Sequence, residues 1–214
     1  MTILQMDTIL TLVLLSVLFS FGSSRLPRLI KLVAFQGIVV SMVPFLLGHD
    51  MTAGGIVFTL ATIAIRGIII PMSIYTAINR VEIKREVEPI IGYRASIVCG
   101  LMLIVTATYI GKNLNIPAIK DYTLLFPTAM ALLVAGMFLL MSRRNAIAMV
   151  LGYITMENGI YLVGTTISVR ARHIVEFGIL LDILAGVMIM AIILQNIKQT
   201  FDDVDTAHLR SLKE

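Results

Sequence analysis

Apolar runs separated by short polar breaks divide the chain into seven segments of membrane-spanning length. The first covers 3 to 22, with Asp7 near its start, and closes on Gly22-Ser23-Ser24 and the basic set Arg25, Arg28 and Lys31. The second, about 30 to 48, contains Gln36 and Pro44 and ends at His49-Asp50. The third, about 54 to 79, carries Arg66 at its centre and Pro71 shortly after. A proline withholds its N–H from the carbonyl four residues back, so the Gly67 carbonyl is freed and a kink is expected there. Arg80 to Pro89 is strongly charged and reads as a solvated loop or interfacial helix. A fourth span at 91 to 110 leads to a polar loop with Lys112, Pro117, Lys120 and Asp121. Spans five, six and seven follow at 122 to 141, 145 to 164 and 174 to 195, and a polar tail starts at Lys198. About 20 apolar residues in helical form cross a bilayer core of ~30 Å. The pattern therefore predicts an all-α integral membrane protein of about seven transmembrane helices.

Composition strengthens that reading: 58% of residues are hydrophobic and 14% charged, and the mean hydropathy is +0.95. A soluble domain so composed would expose more apolar surface than water tolerates. The formal net charge of +4 comes from Lys and Arg at segment ends, which fits topology signalling and leaves no basic patch for nucleic acid. Arg25, Arg28, Lys31, Arg80, Lys84, Arg85, Arg143, Arg144 and Lys198 fall on one side, against Lys112, Lys120, Arg170 and Arg172. The positive-inside rule then sets the N-terminus outside and the C-terminus in the cytoplasm. The first run lacks the basic n-region of a cleaved signal and reads as a retained span. The single cysteine, Cys99, excludes disulfides within the chain and thiolate-ligated clusters. The 13 Met read as adaptable packing, and His173 has no neighbours suited to a metal site.

Two carboxylates stand where lipid-facing residues are expected, Glu157 in span six and Asp182 in span seven. At 1.5 Å per residue both lie roughly 12 Å from the outer edge of the hydrocarbon core, and Arg66 is roughly 16 Å deep, close to the same level. A buried acid has its pKa raised by desolvation and lowered again by a nearby cation, and a balanced one can load and release a proton near neutral pH. Glu157 and Asp182 are accordingly the proton- or ion-path candidates, with Arg66 as a fixed charge that tunes them. The plainer alternative is that one acid pairs with Arg66 and only stabilises helix packing. Gln36, Asn158 and Tyr153, with Tyr161 and Thr155, are candidates for holding water between the acids. No phosphate loop, nucleophile-base set or metal-ligand cluster is present, so the chain alone is not expected to catalyse bond chemistry or bind a cofactor or metal.

Sliding the chain against itself sets Arg28 on Arg144, Gly48 on Gly164 and Arg66 on Asp182. Spans one to three then correspond to spans five to seven, with a cation in one copy where the other has an acid. The expected division is a three-helix unit at 1-80, a charged loop, connecting helix and outer loop at 81-121, a second three-helix unit at 122-198 and a polar tail at 199-214.

The second unit, through Arg143-Arg144-Asn145, Gly152-Tyr153, Met156-Glu157-Asn158-Gly159 and Asp182, resembles the three-helix K-type subunits of complex I and the C-type subunits of multi-subunit Na+/H+ antiporters. Those share an Arg-Arg-Asn opening to the middle helix and an acid in each of the last two helices. The first K-type acid would fall on Ile154, whereas Glu157 sits one turn further along, and Asp182 stands where a Glu is usual. Over its whole length the chain is similar to the component E type of hydrogenase-4, a membrane subunit of group 4 nickel-iron hydrogenases of the formate hydrogenlyase kind. The length, the Met-Glu-Asn-Gly motif, the basic residue before Pro71 and the Leu209-x-x-Leu212-Lys213 ending carry that resemblance. It implies a non-redox subunit of an oxidoreductase complex in a prokaryotic cytoplasmic (inner) membrane. The implied partners are antiporter-like and quinone-site-like membrane subunits and peripheral hydrogenase subunits holding the Fe-S clusters and the Ni-Fe site. Two rival readings are an inert scaffold in the same membrane arm and a free-standing small transporter.

Overall fold

The computed structural model describes residues 3–47, 53–80, 90–114 and 123–167, together with 186, 188, 189 and 191. Among these residues six helices are long and apolar enough to cross a membrane. They comprise α1 (Ile3–Gly22), α2 (Leu26–Leu46), a composite third helix, α5 (Tyr93–Asn113), α6 (Leu125–Ser142) and α7 (Ala146–Ile167). The chain is an all-α, multi-pass membrane protein. Most of the predicted seventh span lies outside the described residues, of which Gly186, Met188, Ile189 and Ala191 are helical.

The composite helix consists of α3 (Ala53–Ala64), a π-helical turn (Ile65–Ile69) and α4 (Ile70–Arg80). A distortion was expected at the Gly67 carbonyl freed by Pro71, and it takes a particular form: the Ile70 N–H bonds the Ile65 carbonyl, five residues back. Widening the turn just before the proline offers another register to the backbone around the missing donor, so the irregularity is centred on Gly67 and includes Arg66.

The helices α6 and α7 pack almost backbone to backbone. A Cβ on Gly136 would come within 2.2 Å of the Met156 nitrogen, and one on Gly159 within 2.4 Å of the Leu133 nitrogen. Small residues at a helix seam permit such approach, which in lipid replaces the hydrophobic drive available in water. This pair is the centre of the bundle, since 72% of the α7 span is buried against 22% of α5 and of the span Thr59–Thr76. The less buried helices turn Val57, Leu60, Ile68, Met72, Met102 and Tyr109 outward, as a lipid-facing rim requires.

Two apolar clusters fill the interior. One joins Leu26 to Val33 of α2, Ile70 to Ile78 of α4 and Ile147 to Ile154 of α7. The other joins α1, Val39 to Val43 of α2, Leu125 to Leu139 of α6, and Tyr161 and Leu162 of α7. Along α2 the changeover falls between residues 33 and 39, and along α7 between 154 and 161. These intervals contain Gln36, Glu157 and Asn158, so a polar layer lies between the two clusters where α2 meets α7, whereas α1 and α6 contribute buried residues to the second cluster alone.

Candidate functional site

Glu157 lies buried on α7, the most enclosed span among the described residues. Arg66 reaches it from the π-turn: the guanidinium Nη2 donates to Glu157 Oε1 at 2.6 Å, and both side chains are 1% exposed. Arg66 Nη1 donates to Asn158 Oδ1 at 3.3 Å. Its Cζ also lies 4.5 Å from the centre of the Tyr161 ring, a cation–π contact one helical turn from Glu157. Gly37 lets Arg66 come this close to α2, because a Cβ there would stand 3.1 Å from Arg66 Cβ and 3.3 Å from its carbonyl oxygen.

Burying both charges is expensive, and their attraction repays the cost only with good geometry and further hydrogen bonds. The short charge-assisted bond, the amide oxygen and the ring supply these. Two neighbouring amides are less well served. Gln36 and Asn158 are both fully buried, and among the described residues neither Gln36 Oε1 nor Asn158 Nδ2 has a hydrogen-bond partner. Each such atom costs about 1–3 kcal/mol when left dry. On its other side Gln36 is tied down, its Nε2 donating to Ser16 Oγ on α1 at 3.0 Å.

Arg66, Glu157 and Asn158 thus meet, and Gln36 lies at their level. Asp182, the second predicted acid, lies outside the described residues. Tyr153 sits within the apolar cluster of α2, α4 and α7, one turn before Glu157. Ile154, at the position of the usual K-type acid, belongs to the same cluster. Thr155 was a candidate for water, but its hydroxyl donates to the Leu151 carbonyl within its own helix at 2.9 Å, which occupies its one donor. Tyr161 was read as a water holder and serves as the aromatic face beneath the cation. Helical phase, three or four residues from Glu157 and Asn158, could have suggested that proximity.

In the sequence, Arg143-Arg144-Asn145 stands out by family resemblance and by the contribution of its two arginines to topology. Asn145 caps α7, its Oδ1 accepting from Ile147 N–H at 2.9 Å. Arg143 is buried, and its Nη2 donates to the Ser20 and Phe21 carbonyls at 3.2 and 2.9 Å. These are the last carbonyls of α1, the negative end of its dipole. Burial lowers the Arg143 pKa from its ordinary value, and Tyr93 acts in the opposite sense. With Arg25, Arg28 and Lys31 at the start of α2, the motif gathers positive charge at one end of the bundle.

Residues 124–214 match the family model of NADH-ubiquinone/plastoquinone oxidoreductase chain 4L. An uncharacterized protein of Mycobacterium tuberculosis is 27% identical over 208 residues, 95% of this chain and 93% of that one. Hydrogenase-4 component E of Escherichia coli is 22% identical over 146 residues, 68% of each chain, as is the protein of that name from Shigella flexneri. No solved structure matches. Arg66 and Gln36 lie outside the matched 4L segment, whereas Glu157 and Asn158 lie inside it. The chain is thus similar to hydrogenase-4 component E over about two thirds of its length, and its residues 124–214 match the chain 4L family model.

Proposed function

We propose that the chain is a membrane-arm subunit of a group 4 nickel-iron hydrogenase in a prokaryotic cytoplasmic membrane. In this reading Glu157 and Asp182 lie on the path by which H+ or Na+ crosses as electrons pass through neighbouring subunits. The family match and the hydrogenase-4 relatives support the coarser statement, a multi-pass membrane subunit of a complex I-like assembly. Antiporter-like, quinone-site-like and peripheral hydrogenase subunits are its partners. Fe-S clusters and the Ni-Fe site belong to those partners, and this chain contributes no redox group.

One observation carries the finer statement: a carboxylate enclosed in a membrane span and held by an arginine at 2.6 Å. Arginine keeps its proton in practice, so exchange falls to the acid. When Glu157 takes up a proton its hold on the guanidinium weakens, but Arg66 retains Asn158 Oδ1 and the Tyr161 ring as partners. When the ion pair re-forms it favours the carboxylate and expels the proton. Alternate loading and release of this kind is what a relay within a membrane needs.

The enclosure of the same pair also favours a second reading, in which Arg66–Glu157 only locks the composite third helix to α7 and the chain is a scaffold. Glu157→Gln in the intact complex separates the two. As a relay residue, its loss lowers ion translocation per assembled complex by at least about 100-fold while hydrogen evolution from an artificial donor continues. As a structural lock, the yield of complex falls and translocation per complex is unchanged.

A further inference from the structure

The polar layer contains more hydrogen-bonding capacity than its side chains satisfy. Gln36 Oε1 is an acceptor and Asn158 Nδ2 a donor; both are buried, and neither is paired among the described residues. They belong to packed helices, α2 and α7, at the level where both helices pass from one apolar cluster to the other. Their opposite ends are fixed. Asn158 Oδ1 receives Arg66 Nη1, and Gln36 Nε2 donates to Ser16 Oγ, whose own proton goes to the Val13 carbonyl at 2.6 Å. Neither amide can therefore turn to satisfy its free atom without breaking a bond it already makes.

Water is both donor and acceptor, so it can take the Asn158 N–H and give a hydrogen to Gln36 Oε1. An anion would suit the donor and not the carbonyl oxygen. A metal cation would suit the oxygen and be repelled by the guanidinium bonded to Asn158. Buried polar atoms with fixed, complementary needs are where internal water is usually held.

We propose that Gln36 and Asn158 form an internal water site between α2 and α7, which joins the Arg66–Glu157 pair to the Ser16 side of α1. One or two bound molecules complete the hydrogen bonding of both amides and bring a proton-conducting medium beside Glu157. Gln36 and Asn158 are positioning residues, since neither exchanges a proton itself. The use of this water in proton delivery rests on the relay reading of Glu157, whereas the existence of the site does not.

The test uses the intact membrane complex at a resolution that shows ordered water, with ion translocation per complex measured on Gln36→Met and Glu157→Gln. The expected result is density within hydrogen-bonding distance of both Gln36 Oε1 and Asn158 Nδ2. In Gln36→Met that density is lost, and translocation falls about tenfold or more at unchanged assembly. A dry contact, with Asn158 Nδ2 bonded to a protein group such as Asp182, overturns the site. If that is found while Glu157→Gln abolishes translocation, the water proposal fails and the relay reading stands. If the density is present and Glu157→Gln leaves translocation intact, the relay reading fails and the site stands. Should Gln36→Met not assemble, the wild-type density and an infrared water band shifted by H2-18O decide the matter.

Discussion

Arg66 is satisfied by three groups from one turn of α7: Glu157, Asn158 and Tyr161. Removing one member of a buried ion pair leaves the other charge uncompensated, at a cost of about 3–5 kcal/mol, whereas removing both can be nearly neutral. Arg66→Met should therefore lower the thermal stability of the purified complex strongly, and Arg66→Met with Glu157→Met should recover most of the loss. If the double variant is as unstable as the single, the pair is not the main source of the effect. Much of this was legible beforehand. Counting rise per residue sets Arg66 and Glu157 at similar depth, and insertion cost makes each conspicuous. Arg66's choice of Asn158 and Tyr161 was not legible, because it depends on how the π-turn rotates the arginine and on the phase of α7. Asp182, outside the described residues, rests on the depth count, on its place in an apolar span and on the K-type resemblance.

At the scale of elements, the seam between α6 and α7 and the caps at their junction set where Glu157 sits. Gly159→Leu would drive a side chain against the Leu133 nitrogen, which a Cβ alone approaches to 2.4 Å. Overpacking typically costs about 1–3 kcal/mol. Because the obstacle is backbone, the expected outcome is a lower melting temperature or failed assembly, read by size-exclusion of the solubilised complex. Gly92, by contrast, has φ of 76° and open space around its Cβ position, so its requirement is conformational. Asn145→Ala removes the α7 cap and should cost about 1 kcal/mol, with Asn145→Asp close to neutral. Chemical denaturation of both variants checks the ordering. The helices themselves were readable from apolar run lengths. A π-turn is different, since proline announces a distortion without saying which hydrogen-bond register absorbs it.

In the molecule as a whole, the cation comes from outside the 4L-matched segment and the acid from within it. Residues 124–214 alone would carry Glu157 into lipid without its counter-charge. That fragment should fail to accumulate in membranes, and Glu157→Gln or co-expression of residues 1–113 should raise its level, as immunoblotting of membranes can read. Equal levels in every case would mean that the acid does not need Arg66. The sequence indicated the membrane class and the end-weighted charge. The division of the interior into two apolar clusters around a polar layer emerges only when α2 and α7 are seen side by side.

The separation of Arg66 and Glu157 by 91 positions also bears on biogenesis. At synthesis rates of about 5–20 residues per second, the guanidinium is made roughly 5 to 20 seconds before its partner. During that interval an insertion machine or a lipid phosphate has to shelter it, so the third span should leave the translocon late, released by the arrival of the sixth. Site-specific crosslinking from position 66 to the translocon in stalled nascent chains would then persist until Glu157 emerges, and would persist longer in Glu157→Gln.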